Sequence, residues 1–377
     1  MNAKDQRSSS RREFLTGEAA RSEVERAGEA LAEGINTTLQ PEAPSSGDTI
    51  RLGVRAMACD FDVVMNPGGS SQIAAASESL EIVHAIEAQM SVFREESELS
   101  QLNRRAASGP VAVETQLFEL LLECQRLSVE TEGGFDPTSG PLISLWQKCR
   151  QQERIPTDDE ITQCLNRTGI EHVAFDDKLK TVEFDRDGVE LNLGGIGKGY
   201  ALDRAGRHLR DKGVESWLLH GGHSSLLARG DHQGVGGWPV GIRNPLFPSE
   251  RLATVLLKDG ALASSGSGVQ HFRHGGKRYG HILDPRTGLP VEGMLSVTVL
   301  AETAAEADAL STAFFVIGVE NTRRFCNNYD GVHALLIPPP RRGRRLEPVV
   351  CGIPSEVLFF SHDEPPGASE DAHGRRA

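Results

Sequence analysis

With 377 residues, 38% of them apolar and 25% charged, the chain has the make-up of a soluble globular protein able to bury a sizeable core. Its formal net charge of −13 argues against a nucleic-acid surface, which needs a basic patch, and the one dense basic run, at 341–345, reads as a solvated loop. The six cysteines (Cys59, Cys124, Cys149, Cys164, Cys326, Cys351) are scattered without CxxC spacing, so no disulfide framework is indicated; no apolar run approaches the ~18 residues of a membrane span.

Residues 1–48 are polar, end in QPEAPSSGD and read as a mobile leader with one amphipathic helix at 22–32. Arg11-Arg12 within SRREFL resembles a twin-arginine export signal, but the stretch that follows is charged where such a signal is apolar. A cytoplasmic location is therefore expected, with export as the alternative. The folded part is expected over 49–362. A strand covers 51–65, interrupted at 57–60, and a helix follows over 71–93 with Ile82, Ile86 and Met90 on one face. A capped turn lies at 97–103, and a helix at 114–131 ends before Gly133-Gly134. A stiff turn at 135–138 leads to a helix ending near Trp146, and Thr157 caps another. Short strands are expected around Val173, Val182 and Leu191.

Beyond a glycine-rich turn and its helix, beginning near Tyr200, the texture becomes β-rich, with strands at 217–220, 225–228, 238–242 and 253–257. Small residues at 260–268 read as a loop and HILDPRTG at 281–288 as a rigid turn. A strand at 295–301, a helix at 304–318 closed by glycine and a strand at 333–337 precede a disordered tail at 363–377. Strands mixed irregularly with helices indicate an α+β fold.

Three stretches could carry chemistry. LNLGGIGKGYALD at 191–203 runs from a strand through three glycines and Lys198 into a helix, which reads either as an anion cradle or as a plain tight turn. A Walker loop would need Gly at Asn192 and Ser or Thr at Gly199, so that fingerprint fails. In AEADALST, a helix would place Asp308, Ser311 and Thr312 on one face, either as oxygen ligands for a hard cation or as an ordinary polar patch. His281, three residues before Asp284 and followed by Ile282 and Leu283, is the candidate general base in a half-buried setting, or else a histidine satisfied locally. The pairs His220/His223 and His271/His274 leave zinc as an alternative.

Taken together, EAQMSVFREESELSQLN at 87–103, GGFDPTSGPLISLW at 133–146, NLGGIGKGYALD at 192–203, HILDPRTGLP at 281–290 and VTVLAETAAEADALSTAFFVIG at 297–318 resemble the ApbE family of Mg²⁺-dependent FAD:protein FMN transferases. The resemblance covers roughly residues 50–340 and implies a T-fold-like architecture of mostly antiparallel sheets packed with helices. It implies FAD as substrate, contacted at Met57, Phe93, Gly134, Phe135, Asp136, Asn192, Lys198 and Ile282. Mg²⁺ would be held at the Gly195 carbonyl, Asp308, Ser311 and Thr312, with His281 deprotonating the acceptor hydroxyl and Asp284 beside it in the catalytic turn. The implied reaction moves FMN to a Thr or Ser of a target flavoprotein and releases AMP, with FAD hydrolysis or non-catalytic FAD binding as alternatives. Departures from the family pattern are Phe93 for tyrosine, Asn192 for Asp, Ser311 for Asp, and HGGHSS at 220–225 where the family has GGD.

Overall fold

The computed structural model describes residues 49–267, 271–341, 343 and 345–361. The leader with its expected helix, the paired arginines and the tail lie outside the described residues. The strands, in chain order, are β1 (Ile50–Ala56), β2 (Cys59–Met65), β3 (Val111–Ala112), β4 (Val173–Asp176), β5 (Thr181–Phe184), β6 (Trp217–Gly221), β7 (Ser225–Arg229), β8 (Trp238–Arg243), β9 (Arg251–Leu257), β10 (Gly260–Gly266), β11 (His271–His274), β12 (Lys277–Gly280), β13 (Ser296–Ala301), β14 (His333–Ile337), β15 (Val349–Cys351) and β16 (Leu358–Phe360). The helices are α1 (Ser70–Met90), α2 (Glu98–Arg105), α3 (Thr115–Glu130), α4 (Gly140–Gln151), α5 (Asp158–Leu165), α6 (Gly197–Asp211) and α7 (Ala304–Asn328).

Eight strands form the central sheet in the order β1-β2-β6-β7-β10-β13-β14-β15, and every neighbouring pair is antiparallel. Side chains alternate across a strand, and here both faces are covered. Leu227, Ala261, Ala263, Ala334 and Leu336 belong to the core that also holds residues of α1, α6 and α7. Their neighbours Ala228, Leu262 and Leu335 join a second core with Trp238, Val240, Ala253 and Val255 from the small sheet β16-β9-β8. The architecture is α+β, as the mixed sequence pattern indicates.

Several elements differ from the sequence reading. The small residues of 260–266 are a central strand, because Ala261 and Ala263 lie where α7 packs against the sheet and larger side chains would not fit. No strand forms at Leu191; Glu190 makes a single parallel bridge to Ser139. α1 stops at Met90, where Ser91 turns extended, and the capped turn at Ser97 opens a helix whose Ser100 N–H bonds the Ser97 hydroxyl. Gly318 (φ 75°) breaks α7 as expected, but the chain resumes helical geometry to Asn328.

α6 begins at Gly197, earlier than Tyr200, so Lys198 sits in its first turn. There α6 meets the start of α7 at backbone distance. A Cβ on Gly199 would lie 1.9 Å from the Ala304 carbonyl oxygen and 2.7 Å from the Ala305 nitrogen. The crossing is also clamped by Asp203, whose carboxylate accepts the N–H groups of Ala304 and Ala305 at 2.8 Å each. These bonds satisfy two of the orphan donors at the start of α7. Gly197, by contrast, has nothing within 4 Å of its Cβ position.

Gly199→Ala is therefore expected to lower the unfolding free energy by about 3 kcal/mol, since backbone cannot yield as a side chain does. Gly197→Ala should leave stability unchanged or slightly raised. Urea denaturation of the two variants checks the contrast.

Candidate active site

A cleft of about 670 Å³ lies between the β1–β2 turn, the end of α1, α4, the glycine-rich turn and the β11–β12 hairpin. It brings together Met57, Phe93, Asn192, Lys198 and His281, five of the residues singled out in the sequence. A smaller cavity of about 240 Å³ beside Asp203 and Arg204 contains none of them.

Each wall has a local cause. Ala56 pairs with Cys59, so Met57 and Ala58 form a two-residue hairpin loop. Both have positive φ (51° and 58°), as a type I′ turn requires, although neither is glycine. Glu87 of α1 holds this strained loop by accepting the Met57 N–H at 2.8 Å and pairs with Arg94 at 3.3 Å. Phe93, just beyond α1, is 83% exposed at the mouth of the cleft. Asn103 of α2 clamps the segment before the glycines, exchanging two 2.9 Å bonds with the Leu191 backbone. The Asn192 side chain caps the turn by accepting the Gly194 N–H at 2.9 Å.

The opposite wall is aromatic and was not read from the sequence. Phe272 of β11 and Tyr279 of β12 stack at 5.2 Å, and both pack on Trp146 of α4. The Trp146 indole N–H donates to the Gly288 carbonyl at 2.8 Å, fixing the 281–288 turn to α4. A Trp followed by a β-hairpin with matched aromatics was the available signal.

Within that turn His281 is exposed rather than half-buried, whereas Ile282 is buried and does not line the cleft. Asp284 acts as the organiser of the turn. Its carboxylate accepts the Arg286 N–H and forms a two-pronged pair with the guanidinium at 2.9 Å on each side. Gly134, Phe135 and Asp136 are likewise placed behind the cleft. Gly134 packs against Ile317 and the Ala313 carbonyl of α7, and the Phe135 ring lies 3.4 Å from the Cβ position of Gly195. Asp136 accepts bonds from Thr138 and the Ile170 N–H, and burial pushes its carboxyl up.

Behind Lys198, α6 crosses α7 to form a floor beneath the cleft; Gly195, Asp308, Ser311 and Thr312 lie there and do not line the cleft itself. Asp308, 5% exposed, receives the Lys198 ammonium at 3.3 and 3.4 Å, the Gly199 N–H at 3.2 Å and the Ser225 hydroxyl at 3.0 Å. Ser311 is fully buried and donates to the Asp308 carbonyl at 2.9 Å, while Thr312 is half-buried with its Oγ1 3.8 Å from the Cβ position of Gly195. Cys59 lies in the same field, but burial pushes its thiol up to about 11, so it remains neutral. The donors converging here are a carboxylate, hydroxyls and a backbone segment, all oxygen, which suits a hard cation such as Mg²⁺. Among the described residues no three His, Cys, Asp or Glu side chains converge as zinc would need.

The HGGHSS turn joins this floor to the sheet edge. The His220 Nε2 lies 3.0 Å from Asp62, which also forms a two-pronged pair with Arg51, and the His220 ring stacks on His223 at 5.0 Å. Burial raises the Asp62 carboxyl, but the hydrogen bonds from His220 and Arg51 outweigh it and hold the group well below the carboxylate range.

Residues 57–336 match a family model described as the ApbE family. A Vibrio cholerae protein named FAD:protein FMN transferase is 33% identical over 279 residues, covering 72% of this chain and 83% of that one. A Treponema pallidum protein of the same name is 31% identical over 285 residues, covering 72% and 79%. Among solved structures, the ApbE protein of Thermotoga maritima is similar with a TM-score of 0.72 at 32% identity, covering 80% of this chain and 96% of that one. The flavin transferase ApbE from Vibrio cholerae gives 0.71 at 28% identity, covering 81% and 97%.

Because the Asp62 carboxyl is held below its unfolded value of about 3.9, its contribution to stability is complete above that pH and is lost as the pH falls further. Asp62→Asn should therefore flatten the acid limb of a stability–pH curve measured by denaturant titration over roughly pH 2–5, the range that brackets the unfolded value.

Proposed function

The chain belongs to the ApbE family, and on that premise we propose that it is a Mg²⁺-dependent FAD:protein FMN transferase. The observation that carries the reading is the convergence of Lys198, Asn192, Met57, Phe93 and His281 on one cleft with Asp308 bonded to Lys198 at its floor. The cleft lining combines apolar and aromatic side chains, Met57, Phe93, Trp146 and Tyr279, with Lys198 in the first turn of α6. That combination suits a dinucleotide, whose ring systems take the apolar surface and whose diphosphate takes the cation and the helix start.

Asp308, Ser311 and Thr312, with the Gly195 backbone, would hold the metal ion. When bound, that ion supplies charge neutralisation for the oxygens of the diphosphate. Lys198, in the first turn of α6, faces the same charge. His281 stands exposed at the cleft, where an acceptor Thr or Ser hydroxyl can reach it, and takes the hydroxyl proton. The hydroxyl oxygen bonds to the phosphorus that carries riboflavin. The bridging P–O bond breaks, and its electron pair leaves with AMP. The product is a phosphoester linking FMN to the target flavoprotein. Asp284 serves by holding the turn that carries His281, through Arg286 and the backbone.

Incubation with FAD, Mg²⁺ and a flavoprotein domain bearing an acceptor threonine is expected to give a flavin-fluorescent band on a denaturing gel and an equal amount of AMP. AMP released equally without the acceptor would instead identify a hydrolase. In the same assay His281→Ala should slow transfer by roughly 10²–10⁴-fold without weakening FAD binding. Asp308→Ala should abolish the Mg²⁺ response while FAD still binds.

A further inference from the structure

Two serines outside the helix and its DALST segment reach the same floor from the sheet. Ser225 opens β7 and is fully buried; Ser265 lies in the next strand, β10. Both side chains lie on the helix-covered face, two residues from Leu227 and Ala263 respectively, which belong to the core under the helices. The Ser225 hydroxyl donates to Asp308 Oδ1 at 3.0 Å. The Ser265 hydroxyl lies 2.9 Å from that of Ser311 and 3.3 Å from that of Thr312.

We propose that Ser225 and Ser265 are positioning residues that fix the oxygen ligands of α7 for a divalent cation. The proposal rests on the reading of Asp308, Ser311 and Thr312 as the residues that hold the ion. Its physical basis is the difference between a hydroxyl and an ammonium as carboxylate partners. Lys198 also binds Asp308, but its charge competes with a cation for the same oxygens, and its side chain is long and 24% exposed. A serine hydroxyl orients the carboxylate through one hydrogen bond, adds no charge, and occupies only one lone pair of an oxygen that has more to offer. Ser225 is rigidly placed for this, since Gly221 and Ala263 flank it across the ladder. Ser265 restrains the Thr312 hydroxyl from the neighbouring strand. The sheet thereby sets the direction of ligands that the helix supplies, in the manner of outer partners that orient metal ligands in other sites.

The test is Mn²⁺ binding to the full-length, FAD-loaded protein, read from the loss of the free Mn²⁺ electron paramagnetic resonance signal. FAD affinity in metal-free buffer is measured alongside, and thermal unfolding serves as a check on folding. Ser225→Ala is expected to raise the Mn²⁺ Kd by roughly 10–100-fold, and Ser265→Ala by about tenfold. Both should leave metal-free FAD affinity unchanged, and Ser225→Thr, which keeps the hydroxyl, should recover Mn²⁺ affinity. If Ser225→Ala does not fold, Ser265→Ala, at a partly exposed position, decides the matter alone. Wild-type Mn²⁺ affinity in both alanine variants, with binding lost in Asp308→Ala, would overturn the positioning role and leave the metal assignment standing. Equal loss of Mn²⁺ and FAD affinity would also overturn it, as a general distortion. Failure of the unmodified protein to bind Mn²⁺ would overturn the metal assignment and this role with it.

Discussion

Two helix beginnings share one small volume in this protein. The backbone of α6 at Gly199 lies so close to the Ala304 carbonyl of α7 that no side chain fits between them. Asp203 then closes the contact by accepting two N–H groups from the first turn of α7. Burial pushes the Asp203 carboxyl up to about 6, even with those two bonds drawing it down. Because the helices meet there, Lys198 and the Gly199 N–H both face Asp308, one turn further along α7. A Ser or Thr at Gly199, as a Walker loop demands, would collide with the carbonyl. The fingerprint fails here for a steric reason.

The rest of the site is arranged around that crossing. The central sheet supplies Ser225 and Ser265 from below, and the small side chains of β10 allow α7 to lie close enough for those bonds to form. The strained Met57-Ala58 loop, braced by Glu87, lines the cleft where an unstrained hairpin would have carried glycine. Strain of this kind costs of order 1–3 kcal/mol and persists only where the surroundings over-determine it. On the far wall, Trp146 joins α4 to the turn carrying His281 through one indole hydrogen bond.

Much of this could be read from the chain. Periodicity placed most helices and strands, because amphipathic spacing reports burial directly. The ordered motifs marked Lys198, Asp308 and His281. What failed did so for identifiable reasons. β10 looked like a loop, since residues kept small by helix packing resemble residues kept small by flexibility. The bonds that tie Asp136 and Asp284 into their turns were not read: Asp136 is held by Thr138 and by the Ile170 N–H, 34 residues away, and Asp284 by the Arg286 guanidinium. Phe272 and Tyr279 were passed over because their stacking arises only when the hairpin closes against Trp146. Neither Ser225 nor Ser265 was marked as a neighbour of the ligand candidates, since a serine within a strand has no such pattern until the helix opposite is in place.

The most direct test of the account is a crystal structure with FAD and Mn²⁺, read from the anomalous signal of the metal. The account predicts a single strong peak within coordination distance of the Asp308 carboxylate and the Thr312 hydroxyl, with the FAD diphosphate beside Lys198. A metal peak elsewhere in the cleft, or FAD bound with its diphosphate away from the α6–α7 crossing, would contradict it.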